Sequence, residues 1–194
     1  MHVKPFFALG ILLVLCVSAL PVFAEDAATA VSLAVAWKAT LLHPLPPAAN
    51  MDGAHVDAGI SPEATAAVAV NVADEEWESH QLPNGWESFG GAWATADGEA
   101  VFRVTIDLPV ALVGHDLELR LGAIDDFDTT YVNGEAVGHT DKSVLGYWAV
   151  QRAYRVPATL AHAGKMVIAV RVFDQFAGGG FTGPKEQMVL KLVQ

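Results

Sequence analysis

From residue 68 onward, apolar and polar positions alternate with a period of two, and turn residues interrupt them at short intervals. Phe102, Val104, Ile106 and Leu108 fall on one face while Arg103, Thr105 and Asp107 fall on the other, the repeat of a half-buried strand. Leu117, Leu119 and Leu121 repeat the pattern against Glu118 and Arg120. Residues 129–132 run into Asn133-Gly134 and then Glu135-Ala136-Val137, which spells a two-residue hairpin with both turn residues at positive φ. Segments 147–156, 166–173 and 187–193 supply further strands, and only 157–163 reads as a helical turn. About seven strands with no recurring helix predict an all-β fold, an antiparallel β-sandwich.

The stretch before this is different. Residues 25–73 hold 15 alanines and one aromatic, Trp37, whereas residues 74–194 hold 14 alanines and 13 aromatics. Aromatic side chains carry much of a core's buried area, so the compact domain is expected at 68–194. Val31, Leu33, Val35 and Trp37 alternate with smaller or polar residues and suit a strand. Pro44, Pro46, Pro47, Gly53, Gly59 and Pro62 then interrupt regular structure, so 25–67 is expected to be an Ala/Pro-rich segment and tether.

Residues 1–24 read as a cleavable secretory signal. Lys4 precedes an apolar run from Phe6 to Leu20, and small residues close it at Val22 and Ala24. The run is shorter than the ~20 residues of a spanning helix. The expected location is secreted or periplasmic, with no membrane contact after cleavage. Cys16 is the sole cysteine, so the mature chain is expected to form no disulfide and offer no thiolate.

Charge narrows the partners. The chain carries 11 Lys+Arg against 22 Asp+Glu, a net −11, and loss of Lys4 with the leader would make it −12. Phosphate binding needs a basic face, so no nucleic-acid partner is expected.

Several runs together carry a family resemblance. They include Trp77, Leu82-Pro83, Gly85-Trp86-Glu87, Asp97-Gly98 and Phe102-Arg103. They continue through Leu119 to Asp128, with its Asp125-Asp126-Phe127-Asp128 core, then Tyr131-Val132-Asn133-Gly134 and Val137-Gly138. Arg152 to Pro157, Gly164 with Ile168 to Val172, and Gly178 to Phe181 complete the set. This order resembles the galactose-binding-like jelly roll of sialate O-acetylesterases and, more distantly, the sugar-binding domain of family-two glycoside hydrolases such as β-galactosidase. Met166 departs from it, standing where that family usually has Asn. The resemblance implies a jelly-roll accessory module that binds carbohydrate or a hydrolase partner, without cofactor or metal.

Catalysis is not expected. Ser32, Ser61, Ser79, Ser88 and Ser143 lie in no nucleophile-elbow motif. Asp52 and His55 spell an Asp-x-x-His pair in the tether, with no nucleophile before them. The six histidines after the leader show no metal-ligand spacing.

Asp125, Asp126 and Asp128 have two readings. Hard carboxylates suit sugar hydroxyls or Ca²⁺; they also cap turns and pair with arginines, and Arg152 and Arg103 are the partners at hand. The resemblance favours structure, with Asp126–Arg152 as the expected pair, and Asn133 and Gly134 as the turn. Gly178–Gly180 is expected to be a loop. Among aromatics, Trp77, Trp86, Trp93, Tyr147 and Trp148 are candidates for stacking on a sugar ring. Loops 85–93, 139–148 and 175–182 combine an aromatic with polar or Gly residues; the favoured ligand site is 139–148, where His139, Asp141, Lys142, Tyr147 and Trp148 lie within ten residues. Trp148 is the preferred platform and Trp86 the alternative.

Overall fold

The computed structural model describes residues 28–193. The expected leader and Cys16 lie outside the described residues. Eleven strands form two antiparallel sheets, and the all-β sandwich predicted from alternation is present. Within the described residues no helix is long and apolar enough to cross a membrane.

One sheet is built around β5 (Leu117–Asp125). β11 (Met188–Leu192) pairs with one edge and β8 (Gln151–Val156) with the other, while β1 (Ala30–Ser32) adds to the outer edge of β11. The two-residue β10 (Gly180–Phe181) pairs with the end of β5 at Ile124 and Asp125. The second sheet runs β3 (Glu78–Gln81), β2 (Ala36–Leu45), β4 (Asp97–Leu108), β9 (Gly164–Asp174), β6 (Phe127–Val132), β7 (Glu135–Thr140). The β6–β7 hairpin turns on Asn133 and Gly134, both at positive φ (50° and 81°), as the dipeptide predicts. Asn133 also ties that turn to β9 by accepting from the Val167 N–H at 2.9 Å.

Leucines 117, 119 and 121 of β5 interdigitate with Phe102, Ile168, Val170 and Val172 from the facing sheet. Trp37, Trp86, Trp93 and Phe181 fill one end of this core with tilted and edge-on ring contacts, the geometry that aromatic quadrupoles favour.

On the polar face of β4, Thr105 and Asp107 are exposed, but Arg103 is covered, and so are Asp97 and Glu99 at the start of the strand. The helix α1 (Pro62–Ala67) packs Ala64, Ala67 and Val68 against Val101 and Ala169. Ser61 caps that helix by accepting from the Ala64 N–H at 3.0 Å. Arg103 then has its partners overhead rather than among the 125–128 acids: Asp74 at 3.0 Å and the carbonyls of Ala67, Ala69 and Val70.

Residues 30–67 therefore belong to the sandwich and are not a tether to it. β2 runs in the interior of the six-stranded sheet. The Pro-rich segment after it is strapped across the outer face, since Arg171 of β9 holds the Asp57 carboxylate through two bonds of 2.6 and 2.7 Å. Pro and Gly preclude helix and strand there, but they do not preclude a fixed path.

Candidate functional site

The structure divides the predicted ligand residues. Trp148 is half exposed, at 50%, with Tyr147 edge-on to it at 5.1 Å between centroids. Neither is in a strand, because β8 starts only at Gln151 and residues 147–150 are turns. Both line a cleft of about 340 Å³ with Asp125, Asp126, Met51, Phe176 and Ala177. His139 belongs to strand β7 rather than to the loop, and with Asp141 just beyond the strand it lines a neighbouring cleft beside Arg171 and the strap. Asp141 also lines a larger one of about 480 Å³, with Lys142, Phe127, Gln175, His55 and Asp57. Met51 borders both that cavity and the Trp148 cleft.

Trp86 cannot be a stacking platform. It has no exposed surface and lies under the Gly178–Gly180 segment, where a Cβ on Gly179 would fall 2.4 Å from its ring. That segment is accordingly a buried cover on the indole rather than a solvent loop. Trp93 is buried as well, with its N–H donated to Glu78 at 3.1 Å. The Gly-rich surroundings of both tryptophans allow close backbone packing as readily as exposure.

The acids 125, 126 and 128 play separate parts. Asp128 and Arg152 have no exposed side-chain surface and pair at 2.9 Å through Nε. Thr130 and Tyr154 hydroxyls donate to the same carboxylate, and Arg152 donates onward to the carbonyls of Asp126, Tyr147 and Val150. So Arg152 does contact Asp126, but through its backbone; the carboxylate partner is Asp128. The guanidinium thereby fixes the chain on which Tyr147 and Trp148 stand. The Asp126 carboxyl instead accepts from the Gln175 N–H at 3.0 Å.

Asp125 forms part of the cleft wall. Burial, then the hydrogen bond and charge of Asp126, push its carboxyl up to about 8. Behind it, Asp174 at the end of β9 is completely buried, and burial with nearby Asp97, Asp126 and Glu87 pushes it up to about 8 as well. Sequence reasoning missed Asp174. Its only signal was an acidic residue following the apolar run of β9, and such a residue usually marks the strand's exit to solvent. Among the described residues no group of three or more His, Cys, Asp or Glu has the geometry to hold a metal ion.

Asp52 and His55 do not form a catalytic pair. His55 faces the Pro46 carbonyl at 2.8 Å and Asp97 at 3.4 Å, while Asp52 is exposed.

Solved structures share this architecture. A β-glucuronidase from Bacteroides uniformis superimposes with a TM-score of 0.57 at 18% identity, over 83% of this chain and 17% of that one. A glycosyl hydrolase family 2 member from Bacteroides cellulosilyticus gives 0.59 at 16% identity, over 86% of this chain and 21% of that one. A β-glucuronidase from Ruminococcus gnavus, solved with uronic deoxynojirimycin, gives 0.54 at 15% identity, over 75% and 22%. The fold resembles a β-sandwich portion of these larger enzymes. The chain spans only about a fifth of the length of these enzymes. The sialate O-acetylesterase side of the resemblance rests on sequence motifs alone. No protein-family model matches the chain, and no curated protein matches it in sequence.

Proposed function

We propose that this chain is an exported, non-catalytic carbohydrate-binding module of the kind that accompanies glycoside hydrolases, and that its ligand lies in the Trp148 cleft. The observation that carries this is Trp148 itself: a half-exposed indole, braced by Tyr147, at the rim of a cleft whose wall bears Asp125 and Asp126. A pyranose presents an apolar C–H face to such a ring and its hydroxyls to such carboxyls. The acids suit binding better than cleavage. Glycoside hydrolysis needs two carboxyls about 5–9.5 Å apart on opposite sides of a bond, whereas Asp125 and Asp126 are adjacent in sequence and lie on one wall of the cleft. Asp57, in the adjoining cavity, is committed to Arg171.

Titration of mono- and oligosaccharides, followed by Trp fluorescence, tests this. Trp148→Ala should weaken binding about tenfold, the ~1.4 kcal/mol that one stacked ring contributes. Unchanged affinity in that variant would remove the cleft as the site. Turnover of an aryl glycoside or acetylated sialic acid by the purified chain would overturn the non-catalytic reading.

A second reading is a subunit acting in trans with a hydrolase. Met51, Val56, Leu145 and Trp148 leave exposed apolar surface on the strap and the 139–148 loop, and such side chains suit a protein contact as well as a sugar. Loss of a hydrolase partner's activity on Leu145→Asp, with sugar binding intact, would favour it.

A further inference from the structure

Asp174 has no exposed surface, and its two carboxyl oxygens are treated differently. Oδ1 accepts from the Phe176 N–H at 3.0 Å, while Oδ2 is buried with no donor. A buried carboxylate oxygen without a donor is strongly disfavoured unless it carries a proton. Next to it, the Asp126 carboxyl adjoins those of both Asp174 and Asp125. Neighbouring buried carboxyls oppose each other's ionisation, which favours keeping protons among them.

The cation facing this group is Arg152 of β8, whose charge is already committed to Asp128. Asp97 of β4 and Glu87, in the turn beneath Gly179, add negative potential at Asp174. The other titratable neighbours are His55, whose Nε2 lies 3.4 Å from Asp97, and the Tyr147 hydroxyl, which receives the Gln175 side-chain amide.

We propose that Asp125, Asp126 and Asp174 form a proton-sharing chain, acid–carboxylate–acid, that pins residues 175–180 behind the Trp148 cleft, and that ionising the outer two acids releases this segment. The three residues are also its three attachment points. Gln175 N–H donates to Asp126, Phe176 N–H donates to Asp174, and Gly180 pairs with the backbone of Asp125. Phe176 and Ala177, between those points, form part of the cleft. With both outer protons in place the array carries one negative charge. Hydroxide removes them one at a time as water, and the same space must then hold three charges with no new cation. The raised values of Asp125 and Asp174, both about 8, set where this happens. The consequence for a ligand rests on the sugar-site reading above; the titration itself requires no ligand.

The experiment uses the full chain with ¹³C-carboxyl-labelled aspartate, titrated from pH 5 to 10 by NMR, with Trp fluorescence recorded alongside. Two carboxyl resonances should move with midpoints near pH 8, and the fluorescence should step with them. Asp174→Asn keeps the shape and mimics the neutral acid, so it should abolish one resonance, lower the midpoint of Asp125 and flatten the step. Asp125→Asn, on the accessible side, makes the same test if the buried change prevents folding. Carboxyls that all titrate below pH 6 would overturn the proposal. A fluorescence step that persists unchanged in both variants would overturn it too. Methyl β-galactoside titrated at pH 6.5 and 9.5 separates the two readings. Affinity lost with the step supports both. Failure to bind at either pH, with the carboxyl titration intact, counts against the sugar site alone.

Discussion

Two buried acidic groups lie at the same end of the six-stranded sheet and behave in opposite ways. Around Arg171, Asp57 and Glu99 share one guanidinium at 2.6–2.7 Å. Burial opposes their charges, yet the hydrogen bonds and charge of Arg171 outweigh it, together with Ser61 at Glu99, and both carboxyls sit below their ordinary values. Around Asp126, three carboxyls gather with no cation of their own, and burial prevails: Asp125 and Asp174 are pushed up to about 8. The residue type is the same in both places. What differs is one guanidinium, and with it the sign of the shift.

The largest effect should come from removing that guanidinium. Arg171→Ala strands Asp57 and Glu99 in the interior and should cost about 3–5 kcal/mol of unfolding free energy in denaturant titration. It should also free the strap, giving early proteolytic cuts within 46–61. Next comes the pH dependence, where the two regions oppose each other. Asp57 and Glu99 have depressed values, so the stability they contribute is present above their unfolded values of 3.8 and 4.5 and is lost as pH falls through the folded ones. Asp125 and Asp174 are raised, so the folded state holds protons that the unfolded chain releases above 3.8. Their contribution is complete below that value and is lost as pH rises through about 8. Asp174→Asn should remove up to about 1.4 kcal/mol per pH unit of this slope across that window. Thermal unfolding at pH 5, 6.5 and 8 in both proteins measures it; an unaltered slope would contradict the assignment. The smallest effect is expected at Lys165–Asp107, where both partners are largely exposed. Lys165→Ala should change stability by no more than about 0.5 kcal/mol, and a larger loss would mean that exposure is a poor guide in this protein.

Much of the sandwich was legible because strand periodicity reports one buried face directly. The β5 leucines and the Asn133-Gly134 hairpin are examples. The failures share a cause. Arg103 shares its face with the exposed Thr105 and Asp107, yet it is buried with Asp97 and Glu99 because a second layer, α1 and the strap, covers that half of β4. Alternation cannot report a cover supplied by a segment that itself lacks periodicity. Pairing within the acid cluster failed for a related reason. That Arg152 reaches the carboxylate of Asp128 and only the carbonyl of Asp126 depends on side-chain direction at the sheet end. In the sequence Trp148 is the preferred platform and Trp86 the alternative; that Gly179 lies over the Trp86 ring while Trp148 stays half exposed is a tertiary fact.

The placing of the last strand has a consequence for how the chain acquires this fold. β11 is an interior strand, hydrogen-bonded to β1 on one side and β5 on the other, so residues 30–32 find their partner only at 189–191. Likewise β9 fills the middle of the second sheet, between β4 and β6. Neither sheet can be completed from the first hundred residues, because each has a gap that only the far end of the chain can fill. Such non-local closure makes folding slow relative to local structure formation, and it is reached only after synthesis has passed β11. Until then the early strands have unpaired edges, and the chain remains extended enough to be threaded or captured by whatever handles it first.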